Sequence, residues 1–237
     1  MAGQLQYSVP WREVFDLTPA LMNGQRHSVS AFTASVVAQM DPRPVALGLE
    51  NLPADPRFLL VANHYQRKGM WILHPASAIT QVIAEHYGPQ DPPVRWVVTA
   101  NWPPWRIGPW RFPSPGDILL PRVAHALWCY PVSFAGANPQ YTARSVRQIL
   151  KDAPNLTRPI GLFPEGVAGS AGRLADPLPG VERVIQLLAK AGMPLVPVGI
   201  SEAGRLVLRF GPLLTPAALL GTDNAAKLAM RCVGELL

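Results

Sequence analysis

Two short stretches of this 237-residue chain place reactive side chains where an apolar run ends. In LLVANHYQRKGMW (59–71), apolar residues lead into Asn63 and His64, and the basic pair Arg67 and Lys68 follows. In GLFPEGVAGS (161–170), the run closes on Phe163 and Pro164, and Glu165 and Gly166 come next. A neutral imidazole at a strand end suits removal of the proton from a weak nucleophile such as a hydroxyl. In open α/β sheets ligands gather beyond the strand ends. If the two strands are parallel neighbours, His64 and Glu165 therefore face one crevice.

The elements needed to hold them there are legible as alternating patterns. RFLLVAN, VRWVVTA, CYPVSF, PIGLFPEG, PLVPVGI and RLVLRFG read as strands. MWILHPASAITQVIAEHY (despite Pro75), YTARSVRQILKDA and GVERVIQLLAKAG read as helices between them, and DNAAKLAMRCVGELL closes the chain as a helix with Asp223 in the cap position. Such alternation predicts an α/β sheet flanked by helices. Residues 1–50 read as a helical N-terminal lead-in, with HSVSAFTASVVAQM as an amphipathic helix, and 51–237 as the α/β domain. The oddest piece is ANWPPWRIGPWRFPSPGDILLPR (100–122), whose six prolines argue against a regular helix. There Trp102, Trp105 and Trp110 accompany Arg106 and Arg111, a pairing suited to a membrane interface. The alternative is that the indoles fold back as a local core.

NH closing one strand, FPEG closing another about a hundred residues on, and PLVPVGI after that resemble three ordered motifs of the glycerolipid acyltransferase family, the relatives of lysophosphatidic acid acyltransferases. The resemblance covers residues 52–212. It implies transfer of a fatty acyl group from acyl-CoA or acyl-carrier protein to a hydroxyl of a lipid or glycerol-type acceptor, with no cofactor beyond that thioester. It makes His64 the general base, with Asn63 beside it. It makes Phe163, Pro164, Glu165 and Gly166 the acceptor segment, and Pro197 a residue that shapes the site. Arg67 and Lys68 are further candidates for substrate contact.

The sequence departs from the family pattern in three places. The aspartate that orients the family's histidine falls at Gly69. Val167 and Ala168 stand where threonine and arginine usually follow FPEG, and no arginine lies in VSFAGA, so Arg144 is the closest substitute. The role of the missing aspartate passes to a backbone carbonyl, or to a carboxylate such as Asp55 or Glu165. The missing arginines suggest an acceptor without a phosphate monoester, unless Arg144 or Arg173 restores the charge. They also leave open a lipid-binding or regulatory protein that keeps the fold without the activity.

Other chemistries fit less well. AGSAG (168–172) is followed by a Pro-rich stretch where a nucleophile elbow needs a helix, and no histidine follows His125. His125 and Cys129 are four apart, in an apolar setting with no charge at hand to activate a thiol. Cys129 and Cys232 form no CxxC pair, so neither a disulfide framework nor a metal site is expected. A chain 49% hydrophobic and only 15% charged points to an apolar partner, and a net charge of +6 to an anionic surface or substrate. The basic residues are scattered, which argues against nucleic acid. No apolar run is long enough to span a membrane, and the first residues do not read as a secretory signal. The expectation is a cytoplasmic protein held peripherally on the inner face of the membrane.

Overall fold

The computed structural model describes residues 7, 8, 10–101, 105–112, 114, 116–133, 138–167 and 174–237, with backbone alone at 105–107 and 111. Its centre is a seven-stranded sheet in the order β1-β9-β8-β2-β7-β3-β6. The strands are β1 (Val45–Leu47), β2 (Leu59–Ala62), β3 (Arg95–Thr99), β6 (Tyr130–Val132), β7 (Ile160–Leu162), β8 (Leu195–Glu202) and β9 (Leu206–Phe210). Every pairing in it is parallel except β8 with β9. The expected α/β class is the one observed.

β2 shows how the sequence builds this sheet. Its four residues are all buried, as befits an uninterrupted apolar strand covered on both faces. Successive side chains point to opposite faces. Leu60 and Ala62 accordingly join a core with Ile79 and Ile83 of α4 (Leu73–Tyr87), while Leu59 and Val61 join a second core. That second core is closed by Ile149 of α6 (Pro139–Asp152), Ile185 of α7 (Val181–Lys190) and Ala229 of α9 (Ala225–Gly234). A buried side chain of this size contributes about 1.5–3 kcal/mol, so the alternation along β2 fixes its register.

The lead-in is helical, with α1 (Trp11–Asp16), α2 (Thr18–Asn23) and α3 (Val29–Ala38), and β1 carries it into the sheet. Asp91 receives the Val29 and Ser30 N–H groups at 2.8 and 3.1 Å, which ties the start of α3 to the body of the protein. Two local expectations are corrected. Asn224, not Asp223, caps α9, accepting from the Lys227 N–H at 2.8 Å. The Pro-rich stretch contains a helix, α5 (Gly116–Ala126), with Pro121 inside it, and a two-stranded ribbon, β4 (Trp105–Ile107) with β5 (Trp110–Phe112). Of its six prolines only Pro121 falls within the helix, so the others do not interrupt it. A short helix α8 (Pro216–Leu220) precedes α9. Among the described residues no helix is long and apolar enough to cross a membrane.

Candidate active site

β2 and β7 are parallel neighbours, Val61 level with Leu162, so the residues that follow each strand emerge side by side. Asn63, the first residue past β2, is buried and spends its side chain on one backbone position. Its Nδ2 donates to the Ile200 carbonyl at 3.0 Å and its Oδ1 accepts from the Ile200 N–H at 2.7 Å. The amide thus continues the β2–β8 ladder by one rung after the strand has ended. The chain then turns sharply, with the Tyr65 N–H donating to the Asn63 carbonyl at 2.9 Å and His64 at the apex.

Glu165 grips that apex. Its carboxylate, 2% exposed, accepts from the His64 backbone N–H at 2.7 Å and, through its other oxygen, from the Ala175 N–H at 2.6 Å. A buried carboxylate is costly unless hydrogen-bonded, and here one oxygen is bonded to the loop after β2 and the other to the segment before α7. Gly166 makes the turn possible. Its φ is +64°, a left-handed conformation that favours glycine, and a Cβ there would also displace the Leu178 side chain, 2.2 Å away. The Leu178 N–H donates to the Pro164 carbonyl at 2.8 Å and closes the turn from the far side.

The imidazole itself rests on an aromatic stack. Its ring meets Phe163 edge-on at 5.6 Å, and Phe163 lies flat on Trp96 at 4.8 Å and 4°. Trp96 is held by a 2.9 Å hydrogen bond from its indole N–H to Thr80. It lies flat over β7 because residue 161 is glycine; a Cβ there would sit 2.4 Å from the ring. His64 Nδ1 is buried and has no hydrogen-bond partner among the described residues. Burial lowers the pKa of His64 from its ordinary value, offset in part by a backbone hydrogen bond. Burial thus favours the neutral form, the one that can accept a proton.

Neither carboxylate considered as a substitute for the family's aspartate bonds the ring. Asp55 accepts from the Arg57 N–H, and both Glu165 oxygens take backbone N–H groups. Gly69, where that aspartate would fall, has φ +80° in a tight turn closed in both directions between Arg67 and Met70, at 3.0 and 2.9 Å. Its carbonyl also accepts the Tyr7 N–H at 2.9 Å. The position has become a hinge of the backbone, a place for glycine.

Arg67 holds Glu202 through Nε and Nη2 at 2.8, 2.5 and 2.6 Å, and the Tyr65 hydroxyl donates to the same carboxylate at 3.0 Å. This network anchors the loop after His64 to the end of β8. Its residues lie more than 130 positions apart, and no local pattern in the sequence announces it. Lys68 is exposed beside it. Pro197 is buried inside β8, level with Val61 and so below the rim, where its carbonyl accepts from Gly211 at 2.8 Å. Arg144 is an exposed residue of α6. Trp102, Ala168 and Arg173 lie outside the described residues, as do the side chains of Trp105, Arg106 and Arg111. Trp110 is 70% exposed, so this indole does not fold back into a local core. Burial pushes the Cys129 thiol up to about 12, away from the thiolate form a nucleophile needs.

This architecture is similar to that of the 1-acyl-sn-glycerophosphate (LPA) acyltransferase PlsC from Thermotoga maritima, with a TM-score of 0.56 at 17% identity over 95% of this chain and 83% of that one. The chain thus has an acyltransferase-like fold. No protein-family model matches it, and no curated protein matches it in sequence.

Proposed function

We propose that this protein transfers a fatty acyl group from a thioester, acyl-CoA or acyl-carrier protein, to the hydroxyl of a lipid or glycerol-type acceptor, with His64 as general base. The observation that carries the reading is the bond from the His64 N–H to the carboxylate of Glu165. It brings the two motif residues together at the ends of adjacent parallel strands, in a chain folded like an LPA acyltransferase. As the acceptor oxygen attacks the thioester carbonyl, the imidazole takes the hydroxyl proton. The O–C bond forms, the C–S bond breaks, and the thiol leaves with the proton returned from the imidazolium.

On this reading Asn63 and Glu165 are positioning residues, since both spend their polar atoms on backbone, and Phe163 sets the plane of the ring. Pro164 and Gly166 shape the turn, and Pro197 supports β8 beneath it. The exposed Trp110 and the rest of the β4–β5 ribbon, with Trp102, contact the membrane surface, placing the protein on its inner face.

The acceptor follows from what the arginines do. Arg67 commits its guanidinium to Glu202, and exposed Val167 stands where the family pattern has a polar residue. An acceptor without a phosphate monoester suits these surroundings; Arg144 and Arg173 are the residues that would reverse that choice. A second reading, a lipid-binding protein without turnover, is favoured by Nδ1, which has no partner among the described residues, because an imidazole without an orienting acceptor is a poorer base. Mass spectrometry of the products formed by the purified protein from oleoyl-CoA with lysophosphatidic acid or monoacylglycerol tests both readings. Ester formed faster on monoacylglycerol supports the proposal as stated. Preference for lysophosphatidic acid that disappears in Arg144→Ala or Arg173→Ala overturns the acceptor assignment, and no ester from either leaves the binding protein.

A further inference from the structure

Along the edge strand β6, three strands from β2 in the sheet, lies a cleft of about 340 Å³ between α5, α6 and the starts of β3 and β6. Arg95, on its wall, is level with Ile160 and so with Leu59, five residues before His64. At roughly 3.3 Å per residue that is about 16 Å along the strands from the candidate active site. We propose that this cleft is a second binding site, for a small phosphate-bearing organic anion.

Two guanidiniums are built into it. Arg26 lies over the Trp128 ring at 4.1 Å and Arg95 over Tyr130 at 3.9 Å, which fixes the plane of each. Arg95 gives its Nε to the Trp128 carbonyl at 3.2 Å and its Nη1 to Asp152 at 2.7 Å. Arg26 gives its Nη1 to the His125 carbonyl at 2.8 Å and has no carboxylate partner among the described residues. Among the described residues Arg26 keeps Nε and Nη2 uncommitted, the fork that recognises phosphate oxygens, and Arg95 keeps Nη2. The loss of water over the indole, together with the like charge of Arg95, lowers the pKa of Arg26.

Asp152, bonded to Arg95, Tyr130 and Gln148, offsets one of the two charges from behind the wall, so Arg26 carries the uncompensated one; the remaining walls include Tyr141 and Pro131, surfaces for a flat apolar body. Arg144, Arg147 and Lys151 are exposed on α6 alongside. At 100° per residue they fall within an arc of about 60°, of which Arg144 is the edge nearest the lining residue Gln148, about 40° away. Trp128 supplies an independent sign. Its φ is +57°, which a bulky side chain rarely adopts, and its N–H and carbonyl are both held, by His125 and Arg95. Strain maintained in this way concentrates at ligand sites.

Isothermal titration of the full chain with phenyl phosphate tests the proposal. The expected result is one saturating event, weakened about tenfold or more in Arg26→Ala, as for loss of a charge-assisted hydrogen bond. The event should be unchanged in His64→Ala, which makes the outcome independent of the acyl-transfer reading. Arg26 is exposed, so its removal leaves the core intact, and an unchanged melting curve checks this. Displacement of the probe by vesicles of phosphatidic acid identifies a lipid headgroup as the ligand; displacement by inorganic phosphate alone identifies a free phosphate compound. No saturable binding, binding indifferent to Arg26→Ala, or binding lost in His64→Ala overturns the proposal.

Discussion

His64 is gripped through its backbone and left alone at its ring. The N–H is fixed by Glu165, the ring leans on Phe163, and Nδ1 is buried without a partner among the described residues. With no carboxylate bonded to the ring among the described residues, burial dominates and the pKa falls below the ordinary 6.5. The acid limb of a kcat/KM profile should therefore lie below that of an exposed histidine; a limb at or above 6.5 would mean that an acidic partner reaches the ring. The sign for stability is the same. A depressed folded-state pKa stabilises the protein above the unfolded value, and that stability is lost as the pH falls toward the folded one. Glu165→Gln offers a sharper test of the grip. An amide accepts one backbone N–H but points donors at the other, so the variant should lose about 1–3 kcal/mol in urea unfolding, and acyl transfer with it. His64 and Glu165 were legible in the sequence because motif order carries them. The bridge from Asn63 to Ile200 was not, since its partner lies 137 residues away.

At the scale of elements, the strands and helices that flank the site follow from periodicity, and β2 shows why: all its residues are buried, and alternate ones serve different cores. Elements that rest on tertiary pairing escaped notice. β1 is three residues long and pairs only with β9. The ribbon of β4 and β5 and the helix α5 were hidden by prolines counted together when their positions mattered individually. The stack of Trp96, Phe163 and His64 links element to site, and Gly161 is its foundation. Gly161→Ala introduces a methyl 2.4 Å from the indole. We expect about 1–3 kcal/mol of destabilisation from this overpacking, seen in thermal melts, and a change in the near-ultraviolet circular dichroism as the stack shifts. An unperturbed melt and spectrum would detach Trp96 from the support of the imidazole.

The whole molecule places the candidate active site beyond the C-terminal ends of β2 and β7 and the arginine-lined cleft along the edge strand β6, three strands from β2. Exposed aromatic side chains, Trp110 on the ribbon and Trp11 and Phe15 on α1, sit on a chain of net charge +6. Indoles favour the headgroup layer and cations favour anionic lipid. Replacing Trp102, Trp105 and Trp110 together by alanine should reduce cosedimentation with anionic vesicles, and unchanged sedimentation would remove the ribbon from the membrane contact. The fold class was readable from alternation alone, whereas the ordering that makes β2 and β7 neighbours was only a condition until the sheet supplied it. The central claim, that His64 is the base of acyl transfer, is tested most directly by single-turnover transfer from oleoyl-CoA in the wild-type protein and in His64→Ala. The account predicts ester product from the wild type and a rate lower by about 10²–10⁴ in the variant, with an unchanged melting temperature. A variant that transfers at the wild-type rate would contradict it.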